Sequence, residues 1–268
     1  GRDVTMKDIL AAVQGGRLKF LMTSATRSNS GASAYIAMLS SALGGKEGDE
    51  FLLVAAHAAG NQNKPDLQDA LLARFVDSAT QRAGEASKEA LTARVDAAYS
   101  RMTAGRSKEA EAAMMSALRA MELHGQADLF FNTAGQAGGH FADKGYTDAA
   151  ETIFDYGLNS RLNATDQGPG RGFLLFNAAA YLRDQHRFKD AQILGTEALQ
   201  RLTAAFGSDS EYSIQAYDGL AQSLHGAGSL APAAAAYAYL EPNATRALGK
   251  DNPAVWRIMN NRAAVLRA

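Results

Sequence analysis

The sequence predicts a mainly α-helical protein, built as a solenoid of stacked helical hairpins. Two observations support this prediction. Alanine is plentiful while proline is limited to 5 of the 268 residues, and this composition favours helix. Small residues also recur along the chain at intervals of 39 to 42 residues, which is the sequence signature of a repeat architecture.

The repeat is clearest in three columns of aligned residues. The first column contains one alanine per repeat: Ala98, Ala137, Ala179, Ala221 and Ala263. Twelve residues later the second column contains Ala110, Ala149, Ala191 and Ala233. A third column between them contains Ser107, Tyr146, Phe188 and Leu230. Because small side chains let two antiparallel helices approach closely, each alanine pair predicts the crossing point of a hairpin. One hairpin cannot bury its apolar face alone, so hairpins should stack.

Each predicted hairpin has a helix A, which carries the first alanine, and a helix B, which carries the second. The predicted A helices cover residues 87–104, 126–143, 173–186, 211–226 and 253–267. The predicted B helices cover residues 107–123, 147–162, 188–205 and 230–241. Pro242 should end or kink the fourth B helix. The glycine-rich stretch 134–145 should weaken the second hairpin. The longest connector is 163–172, and we expect its GPGRG stretch, 168–172, to be a flexible loop.

This pattern resembles the tetratricopeptide repeat (TPR) family over about residues 85–268. The stretch LGKDNPAVWRIMNNRAAVL, residues 248–266, closes one repeat and opens the next, and is similar to the kinesin-light-chain type of 42-residue repeat. The resemblance implies a right-handed α-solenoid of about four and a half hairpins. It also implies a non-enzymatic protein-interaction scaffold that holds a partner peptide or helix in a concave groove lined by the A helices.

Matching the family's register to this sequence places thirteen side chains in that groove. They are Thr92, Val95, Tyr99, Met102, Arg183, Asp184, Gln215, Asp218, Gln222, His225, Arg257, Asn260 and Arg267. The C-terminal half of the groove is polar, so Asn and Gln side chains there could hold the main chain of an extended peptide. For any single residue of this set, a solvated helix face is the alternative.

Residues 1–48 have a different character and predict a short α-β-α segment. A strand candidate at 17–23 leads into a turn rich in serine, asparagine and glycine, and a helix follows. The turn residues Ser28, Asn29, Ser30 and Gly31 are candidates for binding an anion or solute at the helix N-terminus. Helix capping alone would select the same residue types. Residues 1–45 resemble an internal fragment of bacterial extracytoplasmic solute-binding proteins, which implies that this turn faces a ligand.

We therefore predict three parts: the segment 1–48, a helical pair at 49–84, and the TPR array at 85–268. The main alternative to a scaffold is the regulatory or sensory part of a larger protein whose catalytic or solute-binding portion lies outside this chain. A third hypothesis is a free-standing solute receptor, and it is based on residues 1–45 alone. The last repeat contains only helix A, so self-association through this open end is a further prediction.

Composition limits which partners, metal sites and membrane segments the sequence allows. A net charge of −1 gives no support for a nucleic-acid partner. The absence of cysteine excludes disulfides and thiolate metal sites, and no two histidines have the spacing of a local metal motif. We expect no enzyme activity, no metal and no cofactor. No apolar run approaches the roughly 20 residues of a membrane span. The sequence does not determine the cellular compartment. We expect the cytoplasm by default, and the periplasm if the resemblance to solute-binding proteins holds.

Overall fold

A computed structural model describes residues 49–164 and 168–268 of the chain. These residues form eleven α-helices and one short 3-10 helix, with no strand among them. The α-helices are α1 Asp49–Asn61, α2 Pro65–Ala83, α3 Lys88–Thr103, α4 Ser107–Leu123, α5 Ala127–Asp143, α6 Thr147–Leu158, α7 Gly170–Asp184, α8 Phe188–Phe206, α9 Glu211–Gly226, α10 Leu230–Leu248 and α11 Pro253–Arg267. The predicted α-β-α segment and its turn at Ser28 to Gly31 lie outside the described residues.

The chain divides into two compact units, and each has its own core. The first ends at Ala117, and its core joins α1, α2 and α3 through Leu52, Phe75 and Ala97. The second begins at Leu118 and contains α5 to α11. At its C-terminal end, one cluster joins α9, α10 and α11, with Tyr237 completely buried. The predicted domain boundary between 84 and 85 stays a prediction.

One residue in the left-handed region makes the turn inside each hairpin. These residues, at intervals of 42, 40, 41 and 42, are Asn63, Gly105, Gly145, His186 and Gly228, with φ between 54° and 79°. In each turn the next N–H donates to the carbonyl five residues earlier, which satisfies a free carbonyl at the helix end. The described residues therefore contain five hairpins of TPR-like form followed by the single helix α11. The pair α1–α2 shares the register of the four hairpins predicted downstream.

Counting from these turns corrects the predicted alignment of the second repeat by one residue. Ala98, Ala179 and Ala221 lie seven residues before the left-handed residue, and in α5 this place belongs to Gly138 rather than Ala137. The same shift replaces two other predicted column members, Tyr146 and Ala149, by Thr147 and Ala150. The error arose because several small residues in a row all fit the alanine pattern, and only the turn fixes which of them is equivalent.

The glycines of α5 are positions of close helix contact. A Cβ on Gly138 would lie 2.6 Å from the ring of Phe154 on α6. A Cβ on Gly135 would lie 2.8 Å from the Cα atom of Leu174 on α7. Helix propensity alone would make these glycines destabilising. In this hairpin they also provide the space that lets α6 and α7 approach α5.

The predicted loop 163–172 is wrong at both ends. Its first residues belong to a 3-10 helix, Arg161–Ala164, and its last three open α7, whose first residue is Gly170. The N–H of Gly170 donates to Oδ1 of Asp128 at 2.8 Å, and a Cβ there would lie 2.6 Å from the Asp128 carbonyl oxygen. The glycines of GPGRG thus allow close helix contact. The sequence analysis interpreted them instead as a sign of a flexible loop.

The predicted end of the fourth B helix at 241 is also wrong, because α10 continues through Pro242 to Leu248. A proline in a helix frees the carbonyl four residues earlier, here that of Ala238. Ala238 and Pro242 are both exposed, so water can satisfy that carbonyl. Leu240 and Ala244 are buried on either side, and their apolar stripe continues past the proline.

A carboxylate ties the end of α6 to the end of α4 in the second unit. Glu122 accepts hydrogen bonds from the Tyr156 hydroxyl at 2.7 Å, the Ser160 hydroxyl at 2.6 Å and the Arg161 N–H at 3.2 Å. Burial would raise the pKa of Glu122, but these hydrogen bonds outweigh it and hold the pKa below its ordinary value. This contact fixes where the connector toward α7 begins.

We predict that the substitution Gly135→Ala lowers the free energy of unfolding by about 1–3 kcal/mol, because a backbone must move to admit the new methyl group. The matched control is Gly139→Ala on the same helix, where a Cβ would meet nothing within 4 Å. That change should raise stability by about 0.5–1 kcal/mol through helix propensity. Urea denaturation of both variants measures the difference. Equal effects at the two positions would contradict the close-contact role of Gly135.

Candidate functional site

The A helices of the second unit line a groove that is rich in amide side chains. Its cavity has a volume of about 350 Å³. Its lining residues, from α5, α7, α8 and α9, are Asn132, Gln136, Phe173, Phe176, Asn177, Leu202, Tyr212 and Gln215. Four of these side chains are primary amides, three are aromatic and none is charged. We call this surface the amide groove.

Aromatic packing shapes one end of the amide groove. The rings of Phe173, Phe206 and Tyr212 contact one another, with centroids 4.9 to 5.8 Å apart. Phe206 is the last residue of α8 and Tyr212 lies in the first turn of α9, so the cluster holds the connector between these helices against α7. Tyr212 remains 49% exposed, which leaves an aromatic face open to a ligand.

Each of three amides makes one hydrogen bond to its own helix. Gln136 donates to Oδ1 of Asn132 at 3.1 Å, Asn177 donates to the Phe173 carbonyl at 3.0 Å, and Gln215 donates to Glu211 at 3.0 Å. A primary amide has two N–H donors and a carbonyl acceptor. Each of these side chains is therefore oriented by its helix and keeps one donor and one acceptor for the main chain of a ligand.

Gln215 is the predicted groove residue that lines the amide groove. Three others, Arg183, Asp218 and Arg257, come together in a separate cluster. Asp218 is 1% exposed and accepts from the Tyr237 hydroxyl at 3.1 Å and from Nε of Arg257 at 3.0 Å. Asn261 also donates to it, at 3.1 Å. Asp218 thereby joins three consecutive helices, α9, α10 and α11.

Burial and neighbouring charges shift the pKa values of two other groups in this cluster. Burial lowers the pKa of the Arg183 guanidinium, while the charges of Asp184 and Asp218 oppose that shift. Burial raises the pKa of Tyr237, and the adjacent Asp218 carboxylate raises it further. A Cβ on residue 219 would lie 3.0 Å from Nη1 of Arg183, so Gly219 leaves room for this side chain. The cluster is a buried polar network among helices.

The remaining predicted residues are distributed over both units. Tyr99 is half-buried on α3, and burial followed by the charge of Asp96 raises its pKa. Thr92 lines a cavity of about 620 Å³ in the first unit, whereas Val95 and Met102 are buried. On α9, Gln222 and His225 are half-buried. Three predicted residues are exposed on α7 and α11: Asp184, Asn260 and Arg267.

Sequence reasoning missed Asn132, Gln136 and Asn177. A signal for two of them exists, because Gln136, Asn177 and Asn261 all lie two residues before the small residue of the first column. The one-residue error in the second repeat moved Gln136 out of this alignment. With the turn register known, the amides of α5 and α7 fall at equivalent positions, whereas α9 has Gly219 at that position.

The chain is similar in fold to several proteins of known structure. No family model matches the chain, and no curated protein matches it. One similar structure, from Podosopora anserina, is described as a kinesin light chain with nearly identical TPR-like repeats. It has 11% identity, covers 74% of this chain and 94% of its own, and gives a TM-score of 0.49. A second structure of that description has 10% identity, coverage of 74% of this chain and 95% of its own, and a TM-score of 0.49. The resemblance of residues 1–45 to solute-binding proteins gains no support.

The described residues contain neither a cluster of metal ligands nor a membrane-spanning helix. Within them, no group of three or more His, Asp or Glu side chains could hold a metal ion. None of their helices is both long enough and apolar enough to cross a membrane.

We predict that Asp218→Ala lowers the free energy of unfolding by about 3 kcal/mol, because it leaves the Tyr237 hydroxyl and the Asn261 amide without their acceptor and Arg257 without its ion-pair partner. The control is Asp143→Ala, an exposed aspartate at the end of α5, which should change stability by less than about 0.5 kcal/mol. Chemical denaturation monitored by circular dichroism measures both. If Asp218→Ala proves as mild as its control, the network does not hold α9 to α11.

Proposed function

We propose that this protein is a non-enzymatic interaction scaffold and that the amide groove binds an extended peptide of a partner protein. The observation that supports the proposal is the chemistry of the groove. Four neutral amides and an aromatic surface come from successive A helices, with no charged side chain in the lining.

Amides suit recognition of a peptide main chain. Every peptide unit offers one N–H and one carbonyl, and a primary amide can pair with both. Because Gln136 and Asn177 are already oriented by bonds within their helices, little side-chain entropy is lost on binding. The aromatic face of Tyr212 could then contact one apolar side chain of the peptide. Such a site would read backbone spacing first and sequence second.

We predict that the double substitution Asn177→Ala with Gln215→Ala weakens peptide binding roughly tenfold, since each neutral hydrogen bond contributes about 0.5–1.5 kcal/mol. Peptides selected from an unstructured library on the wild-type protein serve as probes, and calorimetry gives the Kd. The matched control is Gln200→Ala, an exposed amide on α8 outside the groove. Unchanged affinity in the double variant would refute binding at the amide groove.

A second candidate role, assembly with another helix, is supported by α11. Its outer face exposes Trp256, Met259 and Leu266, which are 53%, 48% and 66% accessible. Forty-two residues earlier, the equivalent positions on α9 are Ile214, Tyr217 and Leu224, and these pack in one core with α10. The outer face of α11 thus has the apolar pattern that elsewhere receives a B helix. We propose that a second copy of the chain covers it.

We predict that Met259→Glu combined with Leu266→Glu shifts self-association toward the monomer, because charges replace the apolar contact. Analytical ultracentrifugation over a concentration series measures this shift. Tyr239→Glu, a substitution of another exposed large side chain, on α10, is the control and should leave association unchanged. A wild-type chain that stays monomeric throughout the series would show that no second copy covers this face.

A further inference from the structure

A second cavity in the second unit has an apolar floor and an acidic rim. It lies between α6, α7 and α8 and has a volume of about 250 Å³. Phe154, Tyr181 and Leu182 form its floor, and none of the residues lining it belongs to the amide groove. We call it the acidic pocket. Its volume is below the roughly 300–1,000 Å³ of sites for drug-sized ligands, and suits one large side chain.

The floor and rim of the acidic pocket offer apolar contact. The rings of Phe154 and Tyr181 pack with centroids 5.3 Å apart, and both residues are buried. Ile193 lies at the rim and is 70% exposed. When a partner covers a large exposed aliphatic side chain beside an open apolar cavity, the burial of apolar surface favours binding.

Tyr181 supplies a hydrogen-bond donor at the mouth of the pocket. Its ring is buried and lines the pocket, and the 9% of the residue that stays exposed includes the hydroxyl, which reaches solvent. A tyrosine so placed presents an apolar ring and a polar hydroxyl to a ligand. An acceptor on a bound molecule, such as a peptide carbonyl, would replace water at this hydroxyl.

The charges at the rim favour a basic ligand. Three carboxylates line the pocket, those of Glu151, Asp155 and Asp190, against a single guanidinium, that of Arg187. Arg187 pairs with Asp190 at 2.8 Å and lies 4.0 Å from Glu151, so Asp155 has no opposite charge in the lining. The pKa of Tyr181 is raised by burial first and then by Glu151, and the single positive charge of Arg187 does not offset this.

We propose that the acidic pocket binds a basic peptide segment. One leucine-sized side chain enters the cavity beside Ile193, flanking Lys or Arg side chains pair with Asp155 and Glu151, and a main-chain carbonyl accepts from the Tyr181 hydroxyl. This site is independent of the amide groove, and would let one scaffold hold two peptides of different chemistry.

The test uses three short fluorescein-labelled peptides with a common Gly/Ser framework. The first has one leucine flanked by Lys and Arg, the second replaces the leucine by serine, and the third replaces the basic residues by glutamate. Fluorescence anisotropy should show binding of the first, weakened by added salt because ion pairs are screened. Equal binding of the second or third peptide, or no binding of the first, overturns the proposal.

Three variants locate the binding site. Ile193→Ser should weaken binding about tenfold through lost apolar contact. Asp155→Asn should weaken it about threefold, the range of a partly exposed ion pair. Tyr181→Phe keeps the ring and should weaken it about fivefold by removing one hydrogen bond. Thermal melts check that each variant is folded.

The controls separate this site from others. Leu123→Ser replaces another exposed aliphatic side chain, 72% accessible on α4, and should leave the affinity unchanged. The amide-groove variant Asn177→Ala with Gln215→Ala should also bind the basic peptide normally. Loss of binding in that double variant, or wild-type affinity in all three pocket variants, would place the peptide elsewhere and overturn the inference.

Discussion

The close approach of helices at small residues is the constraint on which this structure depends. Where Ala98, Ala179 and Ala221 lie, each is at most 2% exposed, and in α5 the corresponding residue is Gly138. A larger side chain at such a position would separate the helices and open the core on both sides of them. The close approach of helix A and helix B within a hairpin follows from this contact, as at Gly138 of α5 beside Phe154 of α6.

A buried polar side chain can occupy a position of the alanine columns and hold the helices together by hydrogen bonds. In the first unit, Gln68 takes the place of the second alanine column, five residues after the turn residue Asn63, and it is completely buried. Its amide donates to the Ser100 carbonyl at 3.0 Å and accepts from Arg106 at 3.0 Å. Such a pair of bonds offsets the cost of burying an amide. In the second unit, Asp218 has a comparable structural role.

The surfaces that the second unit presents differ in chemistry, and this difference bears on the proposed interaction role. The amide groove is neutral, the acidic pocket is apolar with a negative rim, and the outer face of α11 is an apolar stripe. Partners for these surfaces would be distinguished by main-chain spacing, by charge and by helix packing, respectively. Helical hairpins suit this because the residues that pack them occupy one set of positions and the exposed positions remain free to vary.

The sequence by itself determined the helical class, the hairpin order and most helix bounds, because alanine spacing and turn residues act over short distances along the chain. The A helices at 211–226 and 253–267 are found where the repeat predicts them. Gln215 was predicted as a groove residue from the same register. These features depend on local propensity and on contact between adjacent helices, which a repeat records directly.

Only the tertiary structure decided the register of the glycine-rich repeat, the continuation of α10 past Pro242 and the start of α7 at Gly170. Sequence patterns treat glycine and proline as breakers, whereas their cost depends on what lies beside them: Leu174 beside Gly135, or solvent beside Pro242. The same reason separates Asp218 from Gln215. Both are polar residues of α9 three positions apart, and only packing against α10 and α11 buries the first and leaves the second in the groove.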